Sequence, residues 1–213
     1  MKHLLQINTS LFGEGGQSTG LANTFVNNWK QTHPEGIVHV RDVAGDAVPH
    51  LTLERFSAFL AKPEARTPEQ QAVAGYSETL IDELKRADVI VLGLPLYNFG
   101  VPSSLKAYFD HIGRAGITFR YTDKGPEGLL KGKKVYVFAT RGGLYSGTPL
   151  DTQTSYVRDF LGFLGMKDVE FVYAEGLAMG DASKDAAIAK AKQVIDGIMN
   201  TARQPYAVAS VAA

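Results

Sequence analysis

The chain has 213 residues, 45% of them hydrophobic and 21% charged, the profile of one soluble globular domain that buries roughly 70% of its unfolded surface. Lysine plus arginine equals aspartate plus glutamate at 22 each, so no overall field draws the chain to nucleic acid or to an anionic membrane. The sequence has no cysteine, which excludes disulfides and thiol chemistry, and its five histidines form no close pair of metal-binding spacing, so no metal is expected.

The opening MKHLLQINTS is too short an apolar run for a signal peptide, and no run reaches the ~20 residues of a membrane span; a cytoplasmic chain is expected. His3–Asn8 reads as the first strand. A glycine- and hydroxyl-rich loop follows, Ser10 to Gly20, before Leu21, Phe25 and Trp29 recur at helical spacing. Gly36–Asp42 is the second predicted strand, and a short helix is expected around Leu51–Leu60. Thr67-Pro68-Glu69-Gln70 has the form of a capping box with proline at the first helical position, leading a stripe of Val73, Leu80 and Leu84.

Asp88–Leu94 is the third strand, with Ile90, Val91 and Leu92 in unbroken sequence, as in a strand covered on both faces. Leu105, Phe109 and Ile112 mark the next helix. From Gly116 to Lys131 the pattern alternates through Ile117, Phe119 and Tyr121 and then turns, which predicts a small hairpin. Lys133–Thr140 and Val169–Ala174 are the last two strands. Val157, Phe160, Leu161 and Leu164 lie on a helix between them, and Ile188, Ile195 and Ile198 mark a final helix. Residues 1–200 thus read as a single domain, and the small residues from about Thr201 onward as a frayed tail.

Alternating strands and helices predict an α/β fold with a parallel sheet. Five strands favour the flavodoxin-like three-layer sandwich, order 2-1-3-4-5 with helices on both faces, over the six-stranded dinucleotide fold.

The loop after the first strand is open to several readings. Gly16-Gln17-Ser18-Thr19-Gly20 fits G-x-S-x-G, but a nucleophile elbow sits directly after its strand, and nine residues intervene here. His50 and His111 are the histidines a triad would need. The loop lacks the third glycine of a dinucleotide fingerprint and the lysine of a triphosphate loop. What remains is a nest for one terminal phosphate: Ser10, the amides of Gly16 and Gln17, and the hydroxyls of Ser18 and Thr19. In this reading Ser18 also caps the first long helix, and Glu14 must point away.

In a doubly wound sheet, ligands bind at the carboxyl ends of the strands, where strand order reverses. The third strand runs into Pro95-Leu96-Tyr97-Asn98-Phe99-Gly100 and the fourth into Thr140-Arg141-Gly142-Gly143. A phosphate nest, an aromatic loop and a pair of glycines exposing backbone N–H groups on one edge suit a planar ring carrying a ribityl phosphate, flavin mononucleotide (FMN).

These motifs, together with Arg114-Ala115-Gly116, Phe119-Arg120-Tyr121-Thr122, Gly125-Pro126-Glu127-Gly128 and Ala174-Glu175-Gly176, resemble the FMN-dependent NADH-azoreductase family in register from about Met1 to Asn200. The resemblance implies FMN contacts at Ser10, Gly16, Gln17, Ser18, Leu96, Tyr97, Asn98, Phe99, Thr140, Arg141, Gly142 and Gly143. It also implies a homodimer with sites at the interface, an acceptor pocket touched by Tyr121, Phe163 and Tyr145, and no dedicated catalytic side chain. The implied reaction carries a hydride from NADH, or NADPH, through FMN to quinones and azo compounds by ping-pong kinetics. A flavodoxin-type electron carrier is the alternative, though such carriers are usually strongly acidic. Three positions depart from the family pattern: Gly16 and Thr140 stand in place of serines, and Tyr145 in place of a histidine.

Overall fold

The computed structural model describes residues 1–203. In chain order its elements are β1 (His3–Asn8), α1 (Gln17–Thr32), β2 (Ile37–Asp42), α2 (Leu53–Leu60), α3 (Pro68–Arg86), β3 (Val89–Pro95), α4 (Ser103–Ile112), the hairpin β4 (Phe119–Thr122) and β5 (Gly125–Gly128), β6 (Lys134–Thr140), α5 (Thr152–Phe163), β7 (Asp168–Ala174) and α6 (Asp181–Arg203). The central sheet is parallel throughout, in the order β2-β1-β3-β6-β7. This is the predicted 2-1-3-4-5 arrangement, with strand bounds within one residue of those expected. The hairpin is the predicted excursion, paired antiparallel outside that sheet.

Side-chain alternation along the strands feeds two cores. Leu5, Ile7, Ile90, Leu92, Val135 and Val137 face one layer, closed by Leu80, Leu84, Leu105, Phe109 and Leu161 of α3, α4 and α5. Leu4, Val91 and Phe138 face the other, closed by Leu21, Phe25 and Trp29 of α1 and by Ile195 and Met199 of α6. Burial on both faces explains why the strands read as continuous apolar runs. Each fully buried leucine or phenylalanine contributes about 1.5–3 kcal/mol relative to an exposed one. α3 begins on the predicted capping box, with Thr67 and Gln70 bonded reciprocally.

α6 runs to Arg203, and residues 204–213 of the expected tail lie outside the described residues. Among the described residues, no helix is long and apolar enough to cross a membrane.

Candidate functional site

Parallel pairing sets Asn8 opposite Gly93 and Pro95 opposite Thr140, so β1, β3 and β6 all end on one edge. The loops that follow them touch. The Tyr97 hydroxyl accepts the Leu11 N–H at 3.2 Å and lies 3.5 Å from the Ser10 hydroxyl. Leu96 N–H donates to the Thr140 carbonyl at 2.9 Å. The Phe99 ring meets Tyr145 edge-on, with centroids 5.5 Å apart. Three segments distant in sequence therefore share one rim.

The first loop has the chemistry of an anion cradle. α1 starts at Gln17 with Gly16 as N-cap and no side-chain cap, and its first ladder bond runs from Gly20 N–H to Gly16. The amides of Gln17, Ser18 and Thr19 thus precede the ladder and carry the positive end of the helix dipole. The Ser18 and Thr19 hydroxyls are buried, and neither has a partner among the described residues. A buried hydroxyl left unmatched costs about 1–3 kcal/mol, and an anion here would offset that cost. No acidic residue occupies the first turn, and Glu14 is held outward by Asn23 Nδ2 at 2.9 Å. The ribityl phosphate of FMN fits this donor set.

Two expectations about this loop are corrected. Ser18 does not cap α1, because it lies inside the helix. The Gly16 N–H is spent on the Gly13 carbonyl at 3.1 Å, so Gly16 gives no donor. A β-carbon at Gly16 would lie 2.6 Å from Ser10 Cβ; the Ser10 side chain fills the space that a serine at Gly16 would need.

The second loop makes a two-residue reversal at Asn98 and Phe99, with φ +50° and +58°, closed by Gly100 N–H to the Tyr97 carbonyl at 2.9 Å. Left-handed backbone at two successive non-glycine residues costs roughly 1–2 kcal/mol each and persists only where its surroundings over-determine it. Beside it lies a cleft of about 730 Å³ lined by Leu11, Leu96, Tyr97, Asn98 and the Gly100–Ser103 segment, within the size range of cofactor sites.

In the third loop the Gly142 and Gly143 carbonyls accept Ala178 and Gly176 N–H groups, each at 3.0 Å, while their own N–H groups have no partner among the described residues. Arg141 behaves differently from the expectation. Its side chain is fully buried and donates to Asp151 Oδ1 at 2.7 Å, Thr154 Oγ1 at 2.9 Å and Glu175 Oε1 at 3.2 Å. Its backbone N–H and carbonyl are taken by Ala174 and Leu177. Arg141 is therefore a strut under the rim, and its Nε is its one side-chain nitrogen without a partner among the described residues. Burial pushes the Asp151 carboxyl up, but hydrogen bonds from Arg141 and Thr154 outweigh this and hold it below the usual carboxylate range.

Of the expected pocket residues, Tyr145 lies on the rim, its ring packed over Gly143. Tyr121 and Phe163 do not. Both join Phe119 in an aromatic cluster, with centroids 5.6 and 4.3 Å from it. Phe163 ends α5, whereas Thr152 at its start touches Phe99; the helix between them separates these positions by roughly 16 Å. The hydrolase reading also falls. Ser18 lies on α1, and His111 lies in the layer across the sheet with its Nδ1 bonded to Ala107 at 2.9 Å. His50 lines a surface pocket beside Phe99.

Two supports of the rim have no signal in the sequence. Buried Gln153 donates to the Pro95 and Gly100 carbonyls at 2.9 and 3.2 Å. Glu175 Oε1 accepts the Tyr145 and Ser146 N–H groups, both at 2.8 Å. A lone glutamine on a helix has no one-dimensional signature. The Ala174-Glu175-Gly176 motif carries no sign of the contacts that Glu175 makes.

A family profile described as flavodoxin-like fold matches residues 2–198. The FMN-dependent NADH:quinone oxidoreductase of Cellvibrio japonicus is 57% identical over 196 residues, which span 92% of this chain and 98% of the relative. The protein of the same name from Alcanivorax borkumensis is 55% identical over 190 residues, 89% and 96% of the two chains. Among solved structures, an azoreductase from Bacillus anthracis superposes with a TM-score of 0.85 at 27% identity, covering 94% of this chain and 100% of that one. An FMN-dependent NADH-azoreductase from Bacillus anthracis, in complex with FMN, gives 0.83 at the same identity and coverage. On this fold, this rim and these likenesses, the chain belongs to the flavodoxin-like FMN-dependent NADH-azoreductase family.

Proposed function

We propose that this chain is an FMN-dependent oxidoreductase that passes a hydride from NADH to a flat acceptor, a quinone or an azo compound. The observation that carries the reading is the pair of buried, unpartnered hydroxyls on Ser18 and Thr19 beside the free amides of α1, joined through Tyr97 to the aromatic loop. FMN, when bound, supplies the hydride-accepting and hydride-donating ring.

The chain's residues hold and screen that ring. Ser18, Thr19 and the first amides of α1 take the phosphate. Tyr97, Asn98 and Phe99 wall the ring and exclude water, while the Gly142 and Gly143 N–H groups provide fixed dipoles for negative charge at its edge. One open slot beside the rim, used by NADH and then by the acceptor, gives ping-pong kinetics, with orientation supplying much of the rate. In this reading the chain works in the cytoplasm, where NADH is available, and residues 1–200 form the FMN-binding unit.

The working form in this reading is a homodimer. Tyr121 is 75% exposed, and its cluster lies too far along α5 to serve its own rim, so Tyr121 and Phe163 complete the acceptor pocket of a second copy. Exposed Leu11 and Phe12 beside the phosphate loop offer apolar surface for that contact.

The test is a visible spectrum of the purified protein before and after anaerobic NADH. Flavin absorption that NADH bleaches and a quinone restores supports the proposal. A flavin that only dithionite reduces points to an electron carrier.

A further inference from the structure

We infer that Gln153, in the first turn of α5, is a positioning residue that holds the Asn98–Phe99 reversal in its working shape. The inference rests on the function proposed above for what the reversal does, but not for its geometry. Gln153 is fully buried, and its amide nitrogen bridges the two ends of the loop, the Pro95 carbonyl at 2.9 Å and the Gly100 carbonyl at 3.2 Å. Its neighbour Thr152 donates its hydroxyl to the Phe99 carbonyl between them. Three loop carbonyls are thus fixed from one helical turn.

That bracing answers a specific need. Two adjacent non-glycine residues, the second a bulky phenylalanine, are held at positive φ, where a free loop would relax. Gln153 Oε1 has no partner among the described residues, so burying this amide is costly. The cost is offset only through the carbonyls its nitrogen holds. The turn is itself anchored: Asp151 caps α5 by accepting Thr154 N–H at 3.1 Å and pairs with Arg141. The helix start therefore ties the aromatic loop to the loop after β6, and the spacing between the two sides of the rim depends on it.

The test uses Gln153→Leu, which keeps volume and removes both donors. In the flavin-free chain the Gly100 amide should exchange with solvent at least about tenfold faster than in the wild type, because the turn it closes is released. FMN should still bind through the separate phosphate loop, with altered flavin fluorescence. Reduction by NADH should slow roughly tenfold or more through misplacement of the wall. Phe99→Gly removes the strain that requires the brace, so in that background Gln153→Leu should change the reduction rate by less than about twofold. If Gln153→Leu fails to fold, Thr152→Val removes the neighbouring donor and should act in the same directions. Wild-type exchange at Gly100 in the brace variant, or an equal rate loss in both backgrounds, overturns the inference. If wild-type protein binds no FMN, the proposed function fails, and the exchange measurement alone still decides the role of Gln153.

Discussion

Gly128 and Gly165 press backbone against backbone: a β-carbon built on Gly128 would stand 2.5 Å from Gly165 Cα. Gly165 has φ +103°, and Leu130 N–H donates to the Leu164 carbonyl at 2.8 Å beside it. This contact seats the hairpin on the end of α5 and so fixes where Tyr121 is presented.

Gly128→Ala should therefore lift the hairpin. Overpacking against rigid backbone costs about 1–3 kcal/mol of stability, readable by urea unfolding. FMN affinity should change little, because the rim is built from other loops. Quinone turnover should fall more than FMN binding, since the displaced hairpin carries the aromatic assigned to the second copy's pocket. Unchanged turnover in a stably folded variant would remove that role from the hairpin.

Ser18→Ala should separate stability from binding. Deleting a buried hydroxyl that lacks a partner should leave the flavin-free chain as stable as before or raise its Tm. The same change should weaken FMN by about 1.5–3 kcal/mol, the worth of a hydrogen bond to a charged group, measured by fluorescence titration. Ser18→Asp puts like charge beside the phosphate and should give flavin-free protein. Full flavin loading of the aspartate variant would show that the cradle is elsewhere.

Asp151→Asn should destabilise the fold by about 3 kcal/mol, because it leaves the fully buried Arg141 guanidinium with Glu175 as its remaining ionised partner. The Asp151 carboxyl is held below its ordinary pKa, so its stabilisation is complete above the unfolded-state value, about 3.9, and is lost as pH falls through the lower folded value. The stability gap between wild type and variant should stay flat from neutral pH to about pH 4 and close only below it. A gap that narrows near neutrality would contradict the assigned pairing.

Much of this architecture is legible in the sequence, because burial on both faces writes itself as runs such as Ile90-Val91-Leu92 and the capping box at Thr67 depends on local spacing alone. Three loops on one edge follow from parallel order. What stays hidden depends on distance in space. Phe99 carries no sign of positive φ, since glycine, and more weakly asparagine, are the residues that advertise that conformation. Gln153 and Arg141 look like surface polar residues until the fold buries them. Ser18 looks like a helix cap, but the helix starts two residues earlier than that role requires. Tyr121 and Phe163 match a family pattern, but spacing along the chain does not encode their place in space, gathered with Phe119 away from the rim.

The central claim is that one rim grips FMN and presents it to NADH. Purified protein, saturated with FMN and freed of excess, is mixed anaerobically with one equivalent of NADH while its visible spectrum is followed. Flavin absorption should be bleached stoichiometrically and return on addition of a quinone. A colourless preparation that takes up no FMN, or a bound flavin that NADH leaves untouched, would contradict the account.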